Sequence, residues 1–224
     1  MPDIFVNRND KKIRLLFVAS LFEEKGGPLV LALFDKLSLK YSNLELWIKS
    51  DVPERFKQKY PFKNINFFEF KNKIMLRDEL LEKIYARCDI FIYPTLVDSF
   101  GGALLDAMCC KLPIVTTNIY AVPEIVQNNK NGFVIDVGGS PKYRSVFPGE
   151  NDAISEEEYM QYISSKLDDK TIFNNFYNAL IKLIENRALR VRMGLSGYKE
   201  VKEGKFSLKK RNLQLMEVYQ KALR

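Results

Sequence analysis

Six short apolar runs, each followed by a turn-forming or helical stretch, constrain this chain more than any other feature. Residues 14–19, 44–48, 66–70, 89–93, 113–117 and 132–135 read as strands. Between them, residues 28–41 place Leu29, Leu33 and Leu37 at helical spacing, and 76–87, 100–110 and 122–127 also read as helices. Strands apolar on both faces and separated by helices imply a parallel sheet covered on both sides. Right-handed crossovers then make it doubly wound. The predicted class is α/β: a doubly wound, Rossmann-like parallel sheet with C-terminal helices. Such sheets bind ligands beyond the carboxyl ends of their strands. The loops after Ala19, Ile48, Phe70 and Tyr93 are therefore the expected binding edge.

The pattern changes at Val137. A polar segment opens with Gly138-Gly139-Ser140-Pro141 and runs to about residue 171, which predicts a surface insertion holding one short helix at 156–166. Helices are expected at 172–185, 188–202 and 208–223.

Composition excludes several classes of function. With 46% hydrophobic and 28% charged residues, the 224-residue chain can bury a proper core. No apolar run approaches the roughly 20 residues of a membrane-spanning helix, and the start at Met1-Pro2-Asp3 predicts no signal peptide. There is no histidine and no Cys-x-x-Cys, so no metal site is expected and no Ser-His or Cys-His nucleophile can be assembled. The three cysteines, Cys88, Cys109 and Cys110, lack a disulfide framework, which predicts a reducing, cytoplasmic setting. The adjacent pair Cys109-Cys110 reads as core. The net charge of +7 is spread along the chain and densest at 199–211. It suits a solvated surface, phosphorylated small molecules or peripheral contact with the inner membrane surface. No recognition helix or aromatic-basic strand points to nucleic acid.

The stretch from Pro94 to Met108 carries the chemistry. It leaves a buried strand and opens a helix, with Asp98, Ser99, Phe100, Gly101 and Gly102 at the transition. Bare amides at a helix start, with glycines permitting close approach, suit an anion such as a diphosphate. Asp106 follows Asp98 by eight residues, a little over two turns, and its carboxylate can accept from sugar hydroxyls. Read alone, Asp98 or Ser99 is equally an N-cap, Asp106 a solvated helix residue and Gly101-Gly102 a tight turn.

The run 86–95 followed by 106–115 resembles the signature of retaining GT-B glycosyltransferases of family 4. That family carries two Glu separated by seven residues, a Phe-Gly after the first, and a Leu-Pro-Val-Val strand beyond the helix. Asn118 to Val122-Pro123-Glu124 and Asn131-Gly132-Phe133-Val134-Ile135 resemble the next two landmarks, and Phe17 through Lys25-Gly26 the first strand and its Arg-x4-Lys loop. The similarity covers about 5–136. It implies a nucleoside-diphosphate sugar as co-substrate, with no cofactor and no metal. It implies that Lys25 neutralises the departing diphosphate, that Asp98 contacts the donor sugar, and that Asp106 holds the ribose hydroxyls. Ser20, Ser99, Phe100, Gly101 and Gly102 would line the donor, with Phe70 and Asn72 near the base. It further implies that 1–12 is an interdomain linker remnant, 13–205 the donor-binding domain and 206–224 a helix crossing towards an acceptor-binding domain or partner chain. On that reading this chain alone should not transfer sugar.

The sequence departs from the family at four places. Ser20 stands where the family has arginine, and both acidic positions are Asp rather than Glu. Tyr120-Ala121 and Lys111 replace glycines. Lys49 or Lys71 is a candidate replacement for the missing cation. The alternative is a degenerate, non-catalytic domain that serves as a binding or assembly module.

Overall fold

A computed structural model describes residues 11–61, 63–70, 75–139 and 155–223. Its centre is a six-stranded, wholly parallel sheet in the order β3-β2-β1-β4-β5-β6. The strands are β1 (Ile13–Val18), β2 (Leu44–Lys49), β3 (Ile65–Phe67), β4 (Ile90–Tyr93), β5 (Ile114–Thr117) and β6 (Gly132–Ile135). β1, β4 and β5 are rich in apolar residues because both of their faces are covered: Leu15, Leu16, Phe17, Ile90, Phe91, Ile114 and Val115 are fully buried. β3 is shorter than the predicted 66–70, and the chain leaves the sheet after Phe67.

The helices are α1 (Gly27–Ser38), α2 (Glu54–Lys59), α3 (Arg77–Lys83), α4 (Gly102–Cys109), α5 (Val122–Ile125), α6 (Glu156–Leu167), α7 (Lys170–Glu185), α8 (Arg187–Lys202) and α9 (Leu208–Ala222). The expected helix at 76–87 is split: α3 ends at Lys83 and a 3-10 turn spans Tyr85–Arg87. α1 packs with α7, and α4 with α8. Right-handed crossovers leave β1 and β4 in opposite directions, so these two pairs cover opposite faces of the sheet. α7 binds by a stripe of Ile172, Phe176, Ala179, Leu180 and Leu183.

Residues 155–167 correct part of the expected surface insertion. Ser155 and Glu158 form a capping box that starts α6, and Tyr159 and Ile163 are buried in the core. The remainder of that segment, 140–154, lies outside the described residues, as do residues 1–10 of the linker expected at 1–12 and the residues Lys71 and Asn72.

α9 buries nothing. Leu208, Leu213, Leu215, Met216, Val218 and Tyr219 are all exposed on it.

Candidate donor site at the sheet switch point

The strand order reverses between β1 and β4, so their carboxyl ends diverge and open a crevice. Two loops fill its walls: 19–26 after β1 and 94–101 after β4. They meet backbone to backbone. The Leu96 amide donates to the Glu24 carbonyl at 3.0 Å. Gly26 heads α1 with φ 80°, and a Cβ on it would strike the carbonyl oxygen of Pro94. Only glycine meets both demands.

This contact brings Lys25 and Asp98 together. The Lys25 ammonium lies 3.0 Å from Asp98 Oδ2, and both side chains are largely buried, at 13% and 10% exposed. Lys25 Nζ also donates to the Val97 carbonyl and sits 5.9 Å from the centre of the Tyr93 ring. The Tyr93 hydroxyl donates to Asp98 Oδ2 at 2.5 Å, while the amides of Phe100 and Gly101 donate to Oδ1 at 3.1 and 2.8 Å. Burial pushes the Asp98 carboxyl up. The Tyr93 hydrogen bond, the Lys25 charge and the Phe100 amide together outweigh it and hold the carboxyl below its ordinary range. Asp98 is thus ionised at neutral pH and ties its own loop together.

Two of the amides expected to face an anion, those of Phe100 and Gly101, are therefore turned onto Asp98. Gly101 has φ 85° and precedes the helix, so the next amides, of Gly102 and Ala103, open α4, where the helical ladder supplies no acceptor. Ser99 and the Phe100 ring are exposed beside them, and Ser20 is exposed on the facing loop.

Asp106 lies one turn further along α4. Arg77, the first residue of α3, donates to it through Nε at 2.9 Å and Nη2 at 2.6 Å. Burial raises the Asp106 carboxyl despite that partner. Burial likewise pushes the Cys110 thiol up to about 12, and the Cys109 thiol upward, so both stay protonated in the core.

Lys49 is buried rather than presented to the crevice between β1 and β4. Its Nζ donates to the Glu69 carbonyl at 2.9 Å and lies 4.2 Å from the centre of the Phe70 ring, on the β3 side of the carboxyl edge. It anchors the loop that carries Phe70. Lys57 of α2 pairs with the Glu69 carboxylate in the same loop.

Two features of this site had no clear signal in the sequence. Tyr93 ends an inner strand, where a buried hydroxyl must find a partner, but nothing named Asp98 as that partner. Arg77 precedes Asp106 by 29 residues with no motif linking them.

The model of the family described as "Glycosyl transferases group 1" matches residues 3–143, more than half of the chain. The chain belongs to that family. Among curated relatives, the phosphatidylinositol N-acetylglucosaminyltransferase gpi3 subunit of Schizosaccharomyces pombe is 22% identical over 131 residues, 54% of this chain and 27% of the relative. Among solved structures, the C-terminal domain of a group 1 glycosyl transferase (LpcC) from Francisella tularensis superposes with TM-score 0.63 at 18% identity, covering 88% of this chain and 87% of that one. HepE of Anabaena, solved with UDP and glucose, gives TM-score 0.64 at 15% identity over 93% of this chain and 48% of its own. The chain thus spans about half of HepE and matches only a quarter of the yeast relative, while it is nearly coextensive with an isolated C-terminal domain. Glycosyl transfer is the family's chemistry, and the fold is the Rossmann-like half of a GT-B enzyme. No helix among the described residues is long and apolar enough to cross a membrane.

Proposed function

We propose that this chain is the nucleotide-sugar-binding half of a retaining glycosyltransferase whose acceptor-binding half lies in another domain or chain. One observation carries the proposal: Lys25 and Asp98, from two loops far apart in the sequence, meet in the crevice where the strand order reverses. That crevice is where doubly wound sheets bind ligands. A nucleoside diphosphate laid across it would find the Lys25 ammonium for its phosphates and Asp98 for the donor sugar. Asp106 would take the ribose hydroxyls, and Ser20, Ser99, Phe100, Gly101 and Gly102 would form the walls, with Phe70 towards the base. Transfer breaks the bond between the anomeric carbon and the diphosphate. The new bond forms to an acceptor hydroxyl on the same face, whose proton passes to the diphosphate. Lys25 contributes most as charge develops on the leaving oxygen, so the proposal requires no metal.

The exposed apolar face of α9 supports a missing second half, because a helix with no buried residue leaves apolar area for a partner surface. Lys209, Lys210 and Arg211 open the same helix and would also allow peripheral contact with an anionic membrane on the cytoplasmic side. Co-sedimentation with anionic but not neutral vesicles tests that contact.

A second reading, a degenerate binding module, is favoured by Ser20 and by the internal pairing of both acids with Lys25 and Arg77. Sugar transfer by the longer or partnered protein separates the two. The donor reading expects transfer with retained anomeric configuration, abolished by Asp106→Ala, and no turnover by this chain alone. An inverted product removes retention, and a complete assembly that binds partners but transfers no sugar favours the module.

A further inference from the structure

The pairing of Arg77 with Asp106 is lopsided. Both guanidinium donors reach the same oxygen, Oδ1, and Oδ2 has no hydrogen-bond partner among the described residues. Asp106 is largely buried, at 18% exposed, whereas Arg77 is 54% exposed. Oδ2 is not among the sealed, unpartnered side-chain atoms of the described residues, so it faces solvent and is open to a ligand hydroxyl.

Arg77 itself gains little from the pair, since a half-exposed ion pair contributes weakly to stability. Its effect falls on Asp106. A planar fork gripping one oxygen fixes the torsion of the carboxyl group, and a lysine would act only as a point charge. The grip comes from the first residue of α3, the helix that leads from β3 across to β4.

We propose that Arg77 is a positioning residue for nucleotide recognition: by holding Asp106 through Oδ1 it presents Oδ2 to the vicinal hydroxyls of a ribose. The proposal rests on the donor-binding reading above and adds to it a residue outside the family-like motif. It makes ribose recognition in this chain a property of an Arg–Asp couple rather than of Asp106 alone. It also sets the couple apart from the Lys25–Asp98 pair, which addresses phosphate and sugar.

The test compares dissociation constants of the full chain for UDP and GDP with those for their 2′,3′-dideoxy analogues. The wild type should prefer the ribose forms by about tenfold, the equivalent of one lost charged hydrogen bond. Arg77→Met should bring the ribose forms down to the level of the dideoxy forms while leaving the dideoxy affinities unchanged. Arg77→Lys should fall between, and Asp106→Asn should match Arg77→Met. An unchanged melting temperature for Arg77→Met confirms that the variant folds. Full discrimination retained in Arg77→Met, or equal weakening of both ligand types, overturns the inference. A wild type that binds both forms equally overturns it while leaving donor binding intact, and a wild type that binds no nucleotide removes the donor reading along with it.

Discussion

Asp98 spends its charge on its own loop as well as on Lys25. Its folded carboxyl titrates below the ordinary range, so the unfolded chain binds the proton more readily between the two values. Stability from this group is therefore fully present above about pH 4 and is lost as pH falls through the lower, folded value. Asp98→Asn should destabilise the protein by about 1–3 kcal/mol at neutral pH, and urea melts should find the gap closing in acid. A gap independent of pH would contradict the assignment. Lys111 poses a different residue-scale problem. It sits just past the end of α4 with φ 58°, and Tyr120 has φ 43°. Both positions were visible in the sequence as departures from family glycines, but their meaning was not. The backbone keeps the left-handed turn that glycine would adopt freely, and these side chains bear the strain. Lys111→Gly should relieve about 1–2 kcal/mol and forgo about 0.5–1 kcal/mol from the Lys111 ammonium over Tyr198, 4.7 Å away. The melting temperature should rise by up to about 4 °C; a fall would show that the side-chain contacts outweigh the strain.

At the scale of elements, α8 docks on α4 through small residues. A Cβ on Gly194 would overlap the Lys111 carbonyl, so Gly194→Ala must push the helices apart. A loss of about 1–3 kcal/mol is expected in chemical denaturation. α9 should behave oppositely. Leu215→Glu with Tyr219→Glu touches no buried residue of this chain and should change its stability by no more than about 0.5 kcal/mol. A larger loss would mean that α9 packs on this domain. The same contrast explains which elements the sequence disclosed. The strands that are buried on both faces wrote themselves as apolar runs, and α7 wrote its stripe at helical spacing. α2 has no buried residue and six residues of mostly charged sequence, so it left no period to read. α6 was half legible: a short helix was expected at 156–166, but its two core contacts, Tyr159 and Ile163, depend on where α7 lies.

At the scale of the molecule, the candidate site is assembled by topology. The motif 94–108 supplied Asp98 and Asp106, and the first βα loop supplied Lys25. Neither disclosed that the loops interlock through Gly26, that Tyr93 completes the Asp98 pocket, or that Arg77 grips Asp106. The first and last of these contacts join positions tens of residues apart, brought together only by the parallel order of the strands, while Tyr93 and Asp98 are five residues apart across the end of β4. The resulting crevice balances two cations against two carboxylates. A second hollow of about 400 Å³ between β6 and α7, lined by Asn128, Asn129, Asp136, Asn175 and Lys182, lies at the far edge of the sheet. The most direct measurement is a titration of the isotope-labelled chain with UDP- and GDP-sugars, followed by amide chemical shifts, for the wild type and for Lys25→Met. The account predicts saturable shifts at residues 20–26 and 95–106 that weaken strongly in Lys25→Met. Shifts confined to the hollow beside β6, or no response at millimolar ligand, would contradict it.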